Sequence, residues 1–301
     1  MSTDHSKLLK LATYASMTTA LSLIVAKLVA WILTGSVSIL ASLIDSLMDA
    51  GASLVNLLAV RYSLLPADEE HRFGHGKAEA LAGLAQAMFI TGSAVFLLLH
   101  AGDRLLNPQP ITELGIGMAI ILFAMLATTI LLTIQRHVIK QTKSTAIRAD
   151  ALHYATDLAT NGATLLALIL AYNGFPGLDP VFAIGIALYI LYSAIQIARD
   201  AIQLLMDKEL PGEEREQIKA IVLKTPGVLG MHGLRTWQSG LRKVIQLHLE
   251  LDQRLSLREA HKIAMDVEMH IRATEPQADV TIHQDPAGEQ ERDRHNPGDM
   301  F

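Results

Sequence analysis

Six stretches of this chain are each long and apolar enough to cross a lipid bilayer, and nothing else in the sequence constrains its fold so tightly. They run roughly over residues 11–33, 38–64, 80–106, 113–135, 145–172 and 178–205. A hydrocarbon core takes about 20 apolar residues of helix. Breakers separate three of the pairs: Thr34-Gly35-Ser36, Asn107-Pro108-Gln109-Pro110 and Asn173-Gly174-Phe175-Pro176-Gly177. The other two connections, "RYSLLPADEEHRFGHGK" and "QRHVIKQTKSTAIR", are charged. A mean hydropathy of +0.31, with 50% hydrophobic and 18% charged residues, fits a membrane domain carrying a soluble part.

Basic residues set the expected orientation. Lys7, Lys10, Arg61, Arg72, Lys77, Arg136, Lys140, Lys143, Arg148 and Lys208 fall on one side of the six spans, and the opposite loops offer essentially Arg104. The positive-inside rule then places both termini and the two charged loops in the cytoplasm. The N-terminus lacks a short apolar region followed by a small-residue cleavage site, so Leu11 onward is expected to be a permanent span. The net charge of −5 and the lack of a basic tract give no reason to expect nucleic-acid binding. With no cysteine, any metal must be held by His, Asp, Glu or backbone oxygen.

After Lys208 the pattern changes. "LPGEEREQIKAIVLKTPGV" reads as an amphipathic helix with Pro211 in its first turn and Ile218, Ile221 and Val222 on one face. "VLGMHGLRTWQSG" and "LRKVIQLHLELD" alternate around Ser239-Gly240, as a hairpin does. "SLREAHKIAMDVEMHIRATEP" is a further helix, opened by a capping box of Ser256 and Glu259. "ADVTIHQDP" is a last short strand. The expected architecture is thus an α-helical membrane protein with six transmembrane helices over 1–208, plus a small cytoplasmic α+β domain (α-β-β-α-β) over 209–286. The polar tail over 287–301 is expected to be disordered.

Against this background, two carboxylates stand out in the middle of the second span. Asp45 and Asp49 lie four apart, hence on one helix face. The fifth span carries a matching pair, His153 and Asp157, preceded by Asp150 and continued on the same face by Asn161. An ionisable group at the bilayer centre costs about 2.5–3.5 kcal/mol on the insertion scale, so such groups are rare and usually functional. The plainer alternative is a set of polar side chains hydrogen-bonding inside the bundle. Two helices that each project two ligands one turn apart can build a four-coordinate site for a divalent ion such as Zn²⁺. Protons and metal would compete for the same groups there, the minimum requirement for antiport.

Two further clusters lie outside the spans. Asp68, His71 and His75 offer three ligands in a flexible loop; "GHGK" within it lacks the spacing of a phosphate loop. The alternative is a solvated loop. In the small domain, His232 and His248 lie on the two hairpin strands at similar distances from the turn, and His283 and Asp285 share a face of the last strand. Singly, each would pass for an ordinary surface residue. His5, His100, His137, His270 and His295 fit no cluster.

The stretches "GSVSILASLIDSLMDAGASLVNLLAVRYSLLPAD", "HRFGHGKAEALAGLAQAMFI", "RADALHYATD" and "IHQDP" resemble the bacterial cation diffusion facilitators, with a likeness running from about residue 8 to residue 286. The resemblance implies a homodimer of six-helix protomers in the bacterial inner membrane. Such a dimer would export Zn²⁺, with Cd²⁺ and Fe²⁺ as further candidates, in exchange for protons. It implies a transport site of Asp45, Asp49, His153 and Asp157, and a loop zinc site of Asp68, His71 and His75. It also implies a binuclear cytoplasmic zinc site of His232, His248, His261, His283 and Asp285, with Gln284 beside it, and a charge interlock between Lys77 and Asp207. Two positions depart from the pattern: Gly233 and Trp237 stand where members of the family carry an acidic and a basic residue. The rival classes are a membrane-bound metallohydrolase, against which stands the absence of His-Glu-x-x-His, and a metal sensor that binds without transport.

Overall fold

The computed structural model describes residues 2–35, 37–106, 116–172 and 179–288. The two breaker loops around 107–115 and 173–178, and the tail from 289, lie outside the described residues. The chain divides into two compact units after Leu205.

Among the described residues, the first unit holds six long helices: α1 (Ser2–Thr34), α2 (Val37–Ser63), α3 (Lys77–Leu106), α4 (Ile116–Thr142), α5 (Thr145–Tyr172) and α6 (Asp179–Leu205). Helix is the natural answer for an apolar segment in lipid, because it pairs the backbone polar groups within the segment itself. Five of the six are long and apolar enough to span a membrane. The sixth, α5, has the length but carries Arg148, Asp150, His153 and Asp157 in its first half. Many large apolar side chains face outward, among them Leu33, Phe96, Leu99 and Tyr189. That is an inside-out surface for water and the expected one for lipid.

The helices outrun their apolar stretches. α1 begins at Ser2 rather than Leu11, and α4 continues to Thr142 instead of ending near 135. Arg136, His137, Lys140 and Gln141 are exposed along this extension while Val138 stays fully buried. Helical periodicity therefore persists after hydropathy has dropped. The break comes at Lys143, whose φ of 54° cannot continue a right-handed helix. Ser144 then receives the backbone N–H of Ile147 on its hydroxyl and starts α5.

The second unit contains α7 (Gly212–Lys224), β1 (Gly230–Ser239), β2 (Arg242–Leu251), α8 (Leu257–Thr274) and β3 (Asp279–Pro286). Pro211 is the residue before α7, not a member of its first turn. The Ser256–Glu259 capping box opens α8. The sheet order is β1-β2-β3, with β1/β2 antiparallel and β2/β3 parallel. The period of two on β2 sorts its residues. Ile245, Leu247, Leu249 and Leu251 are buried in a core with Ile218 and Val222 of α7 and Val267 and Ile271 of α8. His248 and Glu250 therefore fall on the opposite face, away from the helices.

Candidate metal centre

Within the helical unit, α2 and α5 bring Asp49, His153 and Asp157 together, with one ligand atom from each lying within 4.8 Å of the others. His153 Nε2 is 2.9 Å from Asp49 Oδ1 and 3.9 Å from Asp157 Oδ2. His153 Nε2 is buried between these two carboxylates. An imidazole nitrogen shut away from water with carboxylate oxygens on two sides offers a ligand set that a shared cation can use. The imidazole is fixed by aromatic edges from Phe89 and Tyr154, at centroid distances of 6.5 and 5.5 Å. Asp45, one turn before Asp49, is exposed and is not a member of this tight group. The four-residue set read from the sequence is thus three convergent ligands and one outlying carboxylate.

Just before this group, Asp150 is fully buried. Its Oδ2 accepts from Ser16 Oγ of α1 at 2.6 Å and from Gln135 Nε2 of α4 at 2.7 Å. Its Oδ1 accepts from Gln86 Nε2 of α3 at 3.3 Å. Ser16 is 3.2 Å from Ser53 of α2, which in turn is 3.0 Å from the Tyr154 hydroxyl. One carboxylate on α5 thereby gathers all four preceding helices around the turn that presents His153. The sequence marks Asp150 as polar in an apolar span, but its partners are scattered over 119 residues, from Ser16 to Gln135, and have no local signature.

In the loop after α2, Asp68 Oδ1 accepts the backbone N–H groups of Glu70 and His71 at 3.0 and 2.6 Å. These bonds, the one from His71 foremost, hold the Asp68 carboxyl below the usual range. His71 Nδ1 lies 3.3 Å from Asp68 Oδ1, and His75 Nε2 lies 3.2 Å from Asp68 Oδ2. His75 is buried, with Nδ1 3.2 Å from the Pro66 carbonyl and its ring against Tyr62. The loop is built around its carboxylate, and all three residues read from the sequence meet.

In the small domain, strand register does the gathering. His232 faces His248 across β1/β2, and His248 faces His283 across β2/β3. The three imidazoles form one row, with centroids 5.0 and 4.8 Å apart. Asp285, almost fully buried, serves all three: Oδ2 is 2.8 Å from His248 Nδ1 and 3.4 Å from His232 Nε2, and Oδ1 is 3.1 Å from His283 Nε2. His261 on α8 is exposed and outside the group of His232, His248 and Asp285. Glu250, which the histidine pattern alone does not mark, places its Oε1 3.1 Å from His232 Nδ1. That contact fixes the ring so that Nε2 turns toward Asp285, as a carboxylate behind a metal-binding histidine does. A signal was present: Glu250 is two residues from His248, hence on the same strand face. Gly233 has φ +61° within an irregularity of β1, and a Cβ there would stand 2.9 Å from His248 Cδ2. The departure at this position is thus tied to the histidine row. Trp237, the other departure, sits half-buried on β1 opposite Val244.

Residues 13–206 match the cation efflux transmembrane domain, and residues 210–287 match the cytoplasmic domain of cation efflux proteins. The chain belongs to the cation efflux family. The cation-efflux pump FieF of Yersinia enterocolitica is 50% identical over 295 residues, covering 98% of both chains. The FieF pump of Pectobacterium atrosepticum is 52% identical over 286 residues, covering 95% of both. Among solved structures, the metal-bound C-terminal domain of the CzcD transporter from Thermotoga maritima is 26% identical. It covers 27% of this chain and all of its own, with a TM-score of 0.26. Members of the cation efflux family are membrane transporters of metal ions, not enzymes, and this chain is a multi-pass membrane protein of that kind. The groups that the three clusters hold in common are carboxylates and imidazoles, a donor set suited to borderline divalent ions.

Proposed function

We propose that this cation efflux protein is a proton-coupled antiporter that exports Zn²⁺ from the bacterial cytoplasm across the inner membrane. Cd²⁺ and Fe²⁺ would be further substrates. The observation that carries the reading is the meeting of Asp49, His153 and Asp157 inside the helical unit, around a buried imidazole nitrogen. Asp45 completes a four-ligand set once an ion is present, by joining from one turn away on α2. A four-ligand site with an imidazole offers too few oxygens for Mg²⁺ or Ca²⁺, which favour six or more. Three carboxylates make the site harder than a two-histidine one, so it discriminates less sharply for zinc.

His153 must be neutral and the carboxylates deprotonated to ligate. Metal and protons therefore displace one another at the same groups, and acid on the far side drives metal out. Both termini and the Asp68 loop face the cytoplasm in this reading. The domains run over 1–208 and 209–286. The small domain joins two protomers, and zinc held by His232, His248, His261, His283 and Asp285 stabilises that dimer. His261 would have to approach the histidine row on metal binding. The Asp68–His71–His75 group holds a separate zinc ion, and Lys77 and Asp207 form a charge interlock at the membrane edge.

The test is metal flux in proteoliposomes with the pH gradient imposed, removed and reversed. Zinc flux should follow the gradient, and Asp49→Ala should abolish it in a protein that remains folded. Equal flux under all three gradients, with no membrane potential, would mean a uniporter or channel. Metal binding without flux would mean a sensor.

A further inference from the structure

Lys27 sits on α1 seven residues before its last residue, Thr34, inside a span that runs from His5 to Thr34. A lysine within about ten residues of a helix end ordinarily extends toward the interface and leaves its charge in water. This one does not. Its ammonium donates to the Ser42 carbonyl at 3.0 Å and to Ser46 Oγ at 2.6 Å, both on α2, and Ser46 is buried. Ser46 stands on α2 one residue after Asp45 and three before Asp49, so the ammonium docks on the helix that carries two of the carboxylates. The side chain thus spends its length turning a positive charge inward, toward the carboxylates, at a depth where an unbalanced charge is expensive.

We infer that Lys27 is a fixed counter-cation of the transport site, setting its charge so that one dication and no more makes the loaded site neutral. The three ligand carboxylates and one ammonium leave two negative charges when His153 is neutral, and a divalent ion cancels them; Asp150, held in its own bonds to Ser16, Gln86 and Gln135, stands outside this set whether or not metal is bound. A neutral loaded site is the form that passes most cheaply through a low-dielectric bundle. Without the ammonium the loaded site keeps a negative charge and grips the metal too firmly to release it. Lys27 touches no ligand atom directly; it is a positioning and charge-setting residue, anchored on Ser42 and Ser46. The inference rests on the transport-site reading above. A plain alternative is that the lysine only tethers α1 to α2.

The experiment measures initial rates of Zn²⁺ flux by the full chain in proteoliposomes. Lys27→Gln keeps a hydrogen-bond donor and removes the charge. Its KM for Zn²⁺ should fall about tenfold or more, the scale on which one unit charge acts on a dication in a partly buried site, while the maximal rate falls as well. Lys27→Arg keeps the charge and should stay close to the parent in both. Ser46→Ala keeps the charge and removes one anchor, so it should hold the parent's KM. A tether that is lost loosens the helices and weakens binding, the opposite sign. An unchanged or raised KM in Lys27→Gln overturns the inference. So does a tenfold KM change in Ser46→Ala, a result that stands even if the glutamine variant fails to fold. Asp49→Ala, run alongside, separates the two levels: its near-normal flux would sink the transport site itself, whereas its loss of flux leaves the Lys27 variants to decide their own case.

Discussion

Replacing Gly233 by alanine should damage the cytoplasmic histidine row in a way that can be worked from the backbone. The residue holds φ +61° between His232 and the register shift before Arg235. An L-residue in that left-handed conformation costs about 1–2 kcal/mol. Its new Cβ would stand 2.9 Å from His248 Cδ2, well inside van der Waals contact, so the imidazole must turn. Turning it pulls Nδ1 from Asp285 Oδ2, now 2.8 Å away, and a hydrogen bond to a charged acceptor contributes about 1.5–3 kcal/mol. Zinc affinity of the soluble unit should therefore fall about 10–100-fold, the usual scale for a misoriented ligand. The metal-free midpoint should fall by about 4–16 °C from the backbone strain, and further for the lost hydrogen bond. Competition with a chromogenic chelator, and thermal melts with and without EDTA, read the two effects separately on the fragment starting at Met206. Gly230→Ala is the control: its Cβ would meet Glu250 Oε2 at 2.6 Å, the movable end of a side chain. It should cost less stability but still weaken zinc, because Glu250 leaves His232. Unchanged zinc affinity and unchanged midpoint in Gly233→Ala would refute the claim that the chain needs glycine there for the sake of His248.

Asp150→Ala strips the acceptor from Ser16, Gln86 and Gln135 in a fully buried place; loss of about 3 kcal/mol or more is expected, read as a lower melting midpoint in detergent. Chelation should lower the midpoint of the soluble unit, since metal that binds only the folded form stabilises it by mass action. No shift, with no zinc by elemental analysis, would return the histidine row to ordinary surface. Lys243 lies 2.6 Å from Glu275 and 3.0 Å from Glu214. Its partial burial works against the charge, but the two carboxylates prevail and raise its ammonium above the usual 10.5. A raised value means that its stabilisation is complete below pH 10.5 and is lost as pH climbs through the folded value. Melts of the soluble unit between about pH 9 and about pH 12 should thus show a fall that Lys243→Met flattens.

Local periodicity carried much of this protein. Apolar runs of more than 20 residues specified helices in lipid, and the four-residue interval placed His153 and Asp157 on one face of α5. Alternation on β2 separated Leu247 and Leu249 from His248 and Glu250, and Ser256 with Glu259 marked the start of α8. Such signals are legible because each depends only on neighbours within a turn or a pleat. Where hydropathy and periodicity diverged, as along residues 136–142, the apolar boundary was a poor guide to the helix end. What joins distant segments was decided by packing alone. Nothing near Ser16, Gln86 or Gln135 announces that they close on Asp150, and nothing near Lys27 says that its ammonium turns to α2 instead of to water. The register that aligns His232, His248 and His283 depends on a parallel pairing across the whole of α8. It also depends on a left-handed glycine beside His232, a conformation set by the bulge and invisible in the residue's name. Asp45 and His261 lie on the right elements yet stand outside the tight groups, because a ligand's place depends on where its neighbours' helices come to rest as well as on its own spacing.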